Sequence, residues 1–213
     1  VKSTSFRLPH NSKQKRSTTG RLRAVKTFRV RGSGGGSRAG GFPRLTIRKS
    51  PSIMYNISRI ESDLFLGGRE AAMNKDVLLQ FKISHIVNAT LKTDCHFRDS
   101  VEYLHLDIPD VKGYDISTHF DAVHAFVSNA RKGGGRVLVH CRAGQSRSAT
   151  LVLAHLMMFH RGWTLRETFR FVKTRRPMIK PNEGFFRQLQ LLERKLNGGK
   201  PNTMELHDVN ATY

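Results

Sequence analysis

Only two cysteines, Cys95 and Cys141, occur in 213 residues. That excludes a disulfide framework and points to a reducing compartment, where a free thiol persists. No Cys and His pair has zinc-ligand spacing, so neither a metal nor another cofactor is expected. Long apolar runs are missing too. The most apolar stretch, Ala149 to Phe159, is broken by His155 and is too short for a bilayer, so it reads as a core helix. No secretory signal is visible. Acidic residues are absent from residues 1–52, which hold fourteen of the 37 Lys and Arg.

That basic segment is rich in Ser, Thr and Gly, with Gly32 to Ser37 in its middle, and it can bury little. It is expected to be a disordered extension. The chain opens on Val1, so an upstream start is expected. The extension has several open readings: an incidental solvated tail, a nuclear import patch at Lys13 to Arg16, or a mitochondrial transit segment. It also suits contact with an anionic surface through phosphates alone, without specific nucleic-acid recognition. Lys15 and Arg16 with Leu22 and Val25 faintly resemble a kinase-docking peptide. The expected location is cytoplasmic or nuclear, with the mitochondrion as the alternative.

What is present is concentrated in nine residues, His140 to Ser148. Arg136 to Val139 reads as a buried strand and Ser148 to His160 as a helix, so the thiol of Cys141 opens a tight strand-to-helix loop. The amides of Arg142, Ala143, Gly144, Gln145, Ser146 and Arg147 then turn inward and form an anion site. The helix N-terminus adds unpaired N–H groups and positive dipole. This field suits a phosphate and favours a thiolate. Cys141 is the candidate nucleophile, attacking phosphorus to give a cysteinyl-phosphate. Arg147 is the candidate fork for two phosphate oxygens. Gly144 permits a positive φ or a close backbone approach. Ser148 is placed to donate to the sulfur, and His140 to orient the loop from the side.

Around this loop, short strands alternate with helical stretches. Strands are expected at Ile57 to Ile60, Leu64 to Leu66, His85 to Asn88, Val101 to Leu106 and Arg136 to Val139. Helices are expected at Arg69 to Phe81, with Ala72, Met73, Leu78 and Leu79 inward, and at Ile116 to Arg131. Three more follow the loop, at 148–160, 164–174 and 183–196, the second opened by a Thr164/Glu167 capping box. This order implies an α/β fold, a mostly parallel central sheet with helices on both faces. Ligands in such sheets bind beyond the C-terminal strand edge, where Cys141 lies. The expected organisation is an extension over 1–52, a domain over 53–197 and a tail over 198–213.

The loop resembles the Cys-x5-Arg pattern of the protein tyrosine phosphatase superfamily. The chain is similar in particular to the small atypical dual-specificity phosphatases that lack a kinase-docking domain. The marks run from Leu64-Phe65-Leu66-Gly67-Gly68 through His85 to Thr90, Arg136 to Cys141 and Ser146 to Thr150. They end with Arg175-Arg176-Pro177, Lys180-Pro181-Asn182 and Gly184-Phe185. The resemblance implies hydrolysis of phosphotyrosine and phosphoserine or phosphothreonine on proteins, with phosphorylated proteins, a kinase among them, as partners. It implies that Asp110, in the Pro109 to Gly113 loop, is the general acid and then base. Asp107, closing a strand, and Asp115, ahead of a helix, are the competing carboxylates. Asn182 braces the loop by resemblance, although a helix N-cap is its simpler account. Arg142 stands where some phospholipid-directed members carry Lys, which leaves a phosphoinositide substrate as the alternative. A binding protein working through its basic tail, with incidental turnover, is the other.

Overall fold

The computed structural model describes residues 55–91 and 95–210. The basic extension expected over 1–52 lies outside the described residues, as do residues 92–94. Five strands form one sheet: β1 (Ile57–Arg59), β2 (Leu64–Gly67), β3 (His85–Asn88), β4 (Glu102–His105) and β5 (Val137–His140). Their order is β1-β2-β5-β3-β4, with β1 antiparallel to β2 and every other pairing parallel. The helices are α1 (Arg69–Ala72), α2 (Lys75–Phe81), α3 (Phe120–Lys132), α4 (Arg147–Phe159), α5 (Leu165–Arg175) and α6 (Glu183–Leu196). Short 3-10 turns span Ile116–His119 and Leu206–Asn210.

Alternation along the strands divides the core between the two sheet faces. Leu64, Leu66, Val87, Val137 and Val139 face the layer built from α3, α4, α5 and α6. Phe65, Ile86 and Leu138 face the smaller layer, where α1 and α2 contribute Ala71, Ala72, Val77 and Leu78. β5 is central and buried at every position, as the apolar run Val137-Leu138-Val139 requires. Helix α4 is buried from Arg147 to Met157 and packs against β5, α3, α5 and α6. No helix of the described residues is long and apolar enough to cross a membrane.

Several local expectations are corrected. The helix expected over Arg69 to Phe81 is two helices, because the Asn74 side chain accepts from the Asp76 and Val77 amides and starts a new one. The restart turns Met73 and Leu79 outward, 46% and 65% exposed. Residues 116–119 form a 3-10 turn rather than α-helix, with Asp115 capping it through the Ser117 amide. Strand β4 is shorter than expected and lies at the sheet edge, half-buried, which is why its alternation indicates no clean face.

The residues after α6 fold back on the domain. Met204 and Val209 are buried. The side chain of Glu193, 2% exposed, accepts from the Leu165 amide at 2.8 Å, the Thr203 amide at 3.0 Å and the Thr203 hydroxyl at 2.6 Å. Arg166 adds an ion pair to Asp208 at 2.8 Å. Replacing Glu193 by Ala strands these buried donors and is expected to cost about 2–3 kcal/mol, read from a urea unfolding midpoint. Faster proteolysis within residues 198–210 would accompany it.

Candidate active site

Strand β5 delivers Cys141 to the C-terminal edge of the sheet, between the ends of β2 and β3. The chain then turns through Arg142 to Ser146 and enters α4 at Arg147. Gly144 makes the turn at φ +69°. A Cβ there would collide with the Gly67 carbonyl and the Arg176 guanidinium, so glycine is required twice over. His140, expected to orient the loop, is buried with its Nδ1 3.4 Å from the carbonyl oxygen of Cys141. Burial pushes its pKa down to about 4, with the backbone contact opposing, so the ring is neutral at pH 7.

Cys141 is 2% exposed and its sulfur receives two hydrogen bonds. The Gly144 amide donates at 3.3 Å and the Ser148 hydroxyl at 3.2 Å. Burial alone raises the thiol pKa. The Ser148 hydroxyl and amide, the Arg147 charge and the Gly144 amide outweigh it, and the net shift is downward. A thiolate is therefore favoured in a nearly dry place.

Arg147 is also buried, its Nη1 donating to the Ile108 carbonyl at 3.1 Å. Its Nε lies 3.5 Å from Asp110 Oδ2 without hydrogen-bond geometry. Asp110 thus faces the loop. Its Oδ1 accepts from the Ser146 hydroxyl at 2.7 Å and from Asn182 Nδ2 at 2.9 Å. Of the two competing carboxylates, Asp107 lies 3.6 Å from His105 and Asp115 caps its 3-10 turn. Asn182 reaches the loop through its own amide, which donates to Ser146 Oγ at 3.2 Å. Its Oδ1 caps α6 through the Phe185 amide while its Nδ2 holds Asp110.

Arg176, in the segment Arg175-Arg176-Pro177, has no role legible from the sequence alone. It is 3% exposed and grips the loop from beneath. Its Nε donates to the Gly144 carbonyl at 2.7 Å and its Nη2 to the Ala143 carbonyl at 2.9 Å. The same guanidinium reaches Asn56 Oδ1 at 2.5 Å and Ser58 Oγ at 3.3 Å. Loop carbonyls point outward to this cation, which leaves the amides pointing in. Asn56 holds a left-handed φ of +51°, a conformation asparagine tolerates. Gln145 is pinned by its carbonyl, which accepts from the Lys180 amide at 2.8 Å. Arg142 and Ala143 are exposed at the rim. Cys95 is half-buried, its sulfur 3.8 Å from Asn88 Nδ2. Among the described residues, no group of three or more His, Cys, Asp or Glu gathers to hold a metal ion.

Amides of the loop and helix start aimed at a sulfur, a thiol whose pKa is lowered, a buried guanidinium and a carboxylate facing them are the parts of a phosphoryl-transfer site. Comparison with known proteins agrees. The family model of the dual specificity phosphatase catalytic domain matches residues 64–195. The chain is 36% identical over 204 residues to Dual specificity protein phosphatase 26 of Bos taurus, covering 84% of this chain and 96% of that protein. It is 39% identical over 154 residues to the Slingshot homolog protein phosphatase of Xenopus laevis, covering 72% of this chain and 22% of that longer relative. A crystal structure of a mouse dual specificity phosphatase complexed with zinc tungstate aligns with a TM-score of 0.65 at 32% identity, over 75% of this chain and 100% of that one. With residues 64–195 forming a cysteine-dependent phosphatase catalytic domain, the chain belongs to the dual-specificity phosphatases of the protein tyrosine phosphatase superfamily.

Proposed function

We propose that this domain hydrolyses phosphotyrosine and phosphoserine or phosphothreonine on proteins through a cysteinyl-phosphate. The observation that carries the reading is the sulfur of Cys141, buried yet held toward the thiolate by Gly144, Ser148 and Arg147. In the first step the thiolate attacks phosphorus as the bond to the substrate oxygen breaks, and Asp110 gives that oxygen its proton. Arg147 and the loop amides hold the three equatorial oxygens, where charge spreads in the loose transition state. In the second step water attacks phosphorus, Asp110 takes its proton, and sulfur departs as the thiolate. The hydrogen bond from Ser148 makes it a better leaving group.

The substrate partner in this reading is a phosphorylated protein, a kinase among the class, and residues 1–52 supply an anionic-surface contact and the address in the cell. The tungstate bound in the mouse structure indicates which probe to use. Cys141→Ser is expected to lose turnover by several orders of magnitude while retaining tungstate binding in calorimetry. Acid-quenched wild type should carry a phosphoryl group on Cys141 by mass spectrometry. A Cys141→Ser variant with wild-type rates overturns the covalent reading. Rates on matched phosphotyrosine, phosphothreonine and phosphoinositide substrates decide the substrate class, and a preference for the lipid displaces the protein reading.

Ser148→Ala removes a donor that lowers the thiol pKa. The pH midpoint for alkylation of Cys141 by iodoacetate is expected to move upward, and with it the acidic limb of kcat/KM. Arg176→Ala leaves the Gly144 and Ala143 carbonyls without their cation. The loop amides then lose their orientation, and a fall in kcat/KM of about 10²-fold is expected with weaker tungstate binding.

A further inference from the structure

Helix α6 runs along the loop that carries Asp110 and touches it at each step. Asn182, its cap, holds Asp110 Oδ1. Glu183 pairs with Lys112 Nζ at 2.7 Å. Five residues on, Gln188 donates from Nε2 to the Tyr114 carbonyl at 2.9 Å and accepts from the Ser117 amide at 2.9 Å. Between the first pair and the last lies Gly184, and here the approach is closest. A Cβ on Gly184 would overlap the Lys112 carbonyl oxygen, with the Lys112 carbonyl carbon at 2.6 Å and Cα at 2.8 Å. All three are main-chain atoms, so no flexible side chain can swing aside.

Gly184 is not there for its own backbone. Its φ is outside the left-handed region, and it lies inside the first turn of a fourteen-residue helix. Glycine is a poorer helix former than alanine. What the missing side chain provides is space for the loop. From this we infer that Gly184 is a positioning residue for the general acid: it lets the Lys112 carbonyl seat against α6, which places Asp110 over Cys141 before substrate arrives. The inference rests on Asp110 being the acid in the proposed mechanism. Any side chain at 184 wedges the 110–114 segment outward, and Lys112 is two residues from the carboxylate. A displacement of about 1 Å at a reacting group can cost on the order of 10²-fold.

The test compares two substrates in the full chain: phenyl phosphate, whose leaving oxygen needs a proton, and a difluorinated umbelliferyl phosphate, whose leaving group departs as a stable anion. Four proteins are measured: wild type, Gly184→Ala, Asp110→Ala and the double variant. Gly184→Ala is expected to lower kcat on phenyl phosphate by about 10- to 100-fold and on the activated ester by less than about threefold, with tungstate affinity unchanged. On the Asp110→Ala background, the same change is expected to add nothing. Gln188→Ala, which removes a side-chain clamp and leaves the helix intact, is expected to show the same leaving-group bias at smaller size. Equal losses on both substrates, or full additivity with Asp110→Ala, overturn the inference. If Asp110→Ala itself shows no leaving-group bias, the acid assignment falls first and the inference falls with it. If Asp110→Ala shows the bias and neither helix variant does, the inference alone fails. Should Gly184→Ala not fold, the Gln188→Ala result decides.

Discussion

A sulfur anion removed from water must find donors in the protein or take up a proton. Every other feature of the site follows from how that is solved. The donors here are main-chain and therefore fixed: the Gly144 amide and the first turn of α4, with the Ser148 hydroxyl added. They need no reorganisation when charge arrives. The same fixed amides that stabilise sulfur can donate to the oxygens of a bound phosphoryl group, so one cradle serves the free thiolate and the transition state.

Keeping those amides inward is a problem of carbonyls. A loop of alternating dipoles relaxes unless its C=O groups find partners on the other side, and here Arg176 supplies them from below. That cation is itself desolvated and is held by Asn56 and Ser58 from the first strand region. The catalytic loop is thus tied to the start of the domain and to the end of α5, which surround the sheet edge. The tie explains why Gly144 has neither freedom nor spare room: Gly67 and Arg176 occupy the space any Cβ would need.

The parts of this site legible in the sequence were those encoded locally. Cys141, Gly144 and Arg147 lie within seven residues, and the flanking strand and helix follow from apolar patterning. The parallel sheet was legible from the strand and helix order. Asp110 was reachable only through resemblance, since three carboxylates lie within nine residues and spacing alone does not separate them. In the structure Asp110 touches the loop, through the Ser146 hydroxyl. Other contacts were invisible because they join distant segments: Ser146 with Asp110, Arg176 with the loop carbonyls, Gly184 with Lys112. The helix error at Met73 and Asn74 has another origin. Apolar periodicity continued across the break, and the capping preference of one asparagine overrode it.

The Asp110 carboxyl is not symmetric. Oδ1 is taken by two donors, a hydroxyl and an amide, and both repel an added hydrogen. Oδ2 lies 3.5 Å from Arg147 Nε without a formed bond. In the proposed mechanism the hydrogen of the neutral acid then belongs on Oδ2, and Ser146, itself fixed by the Asn182 amide, makes that choice together with Asn182 Nδ2. A serine of the loop and the cap of α6 thus set, in that mechanism, which lone pair of the carboxyl exchanges hydrogen with substrate and water.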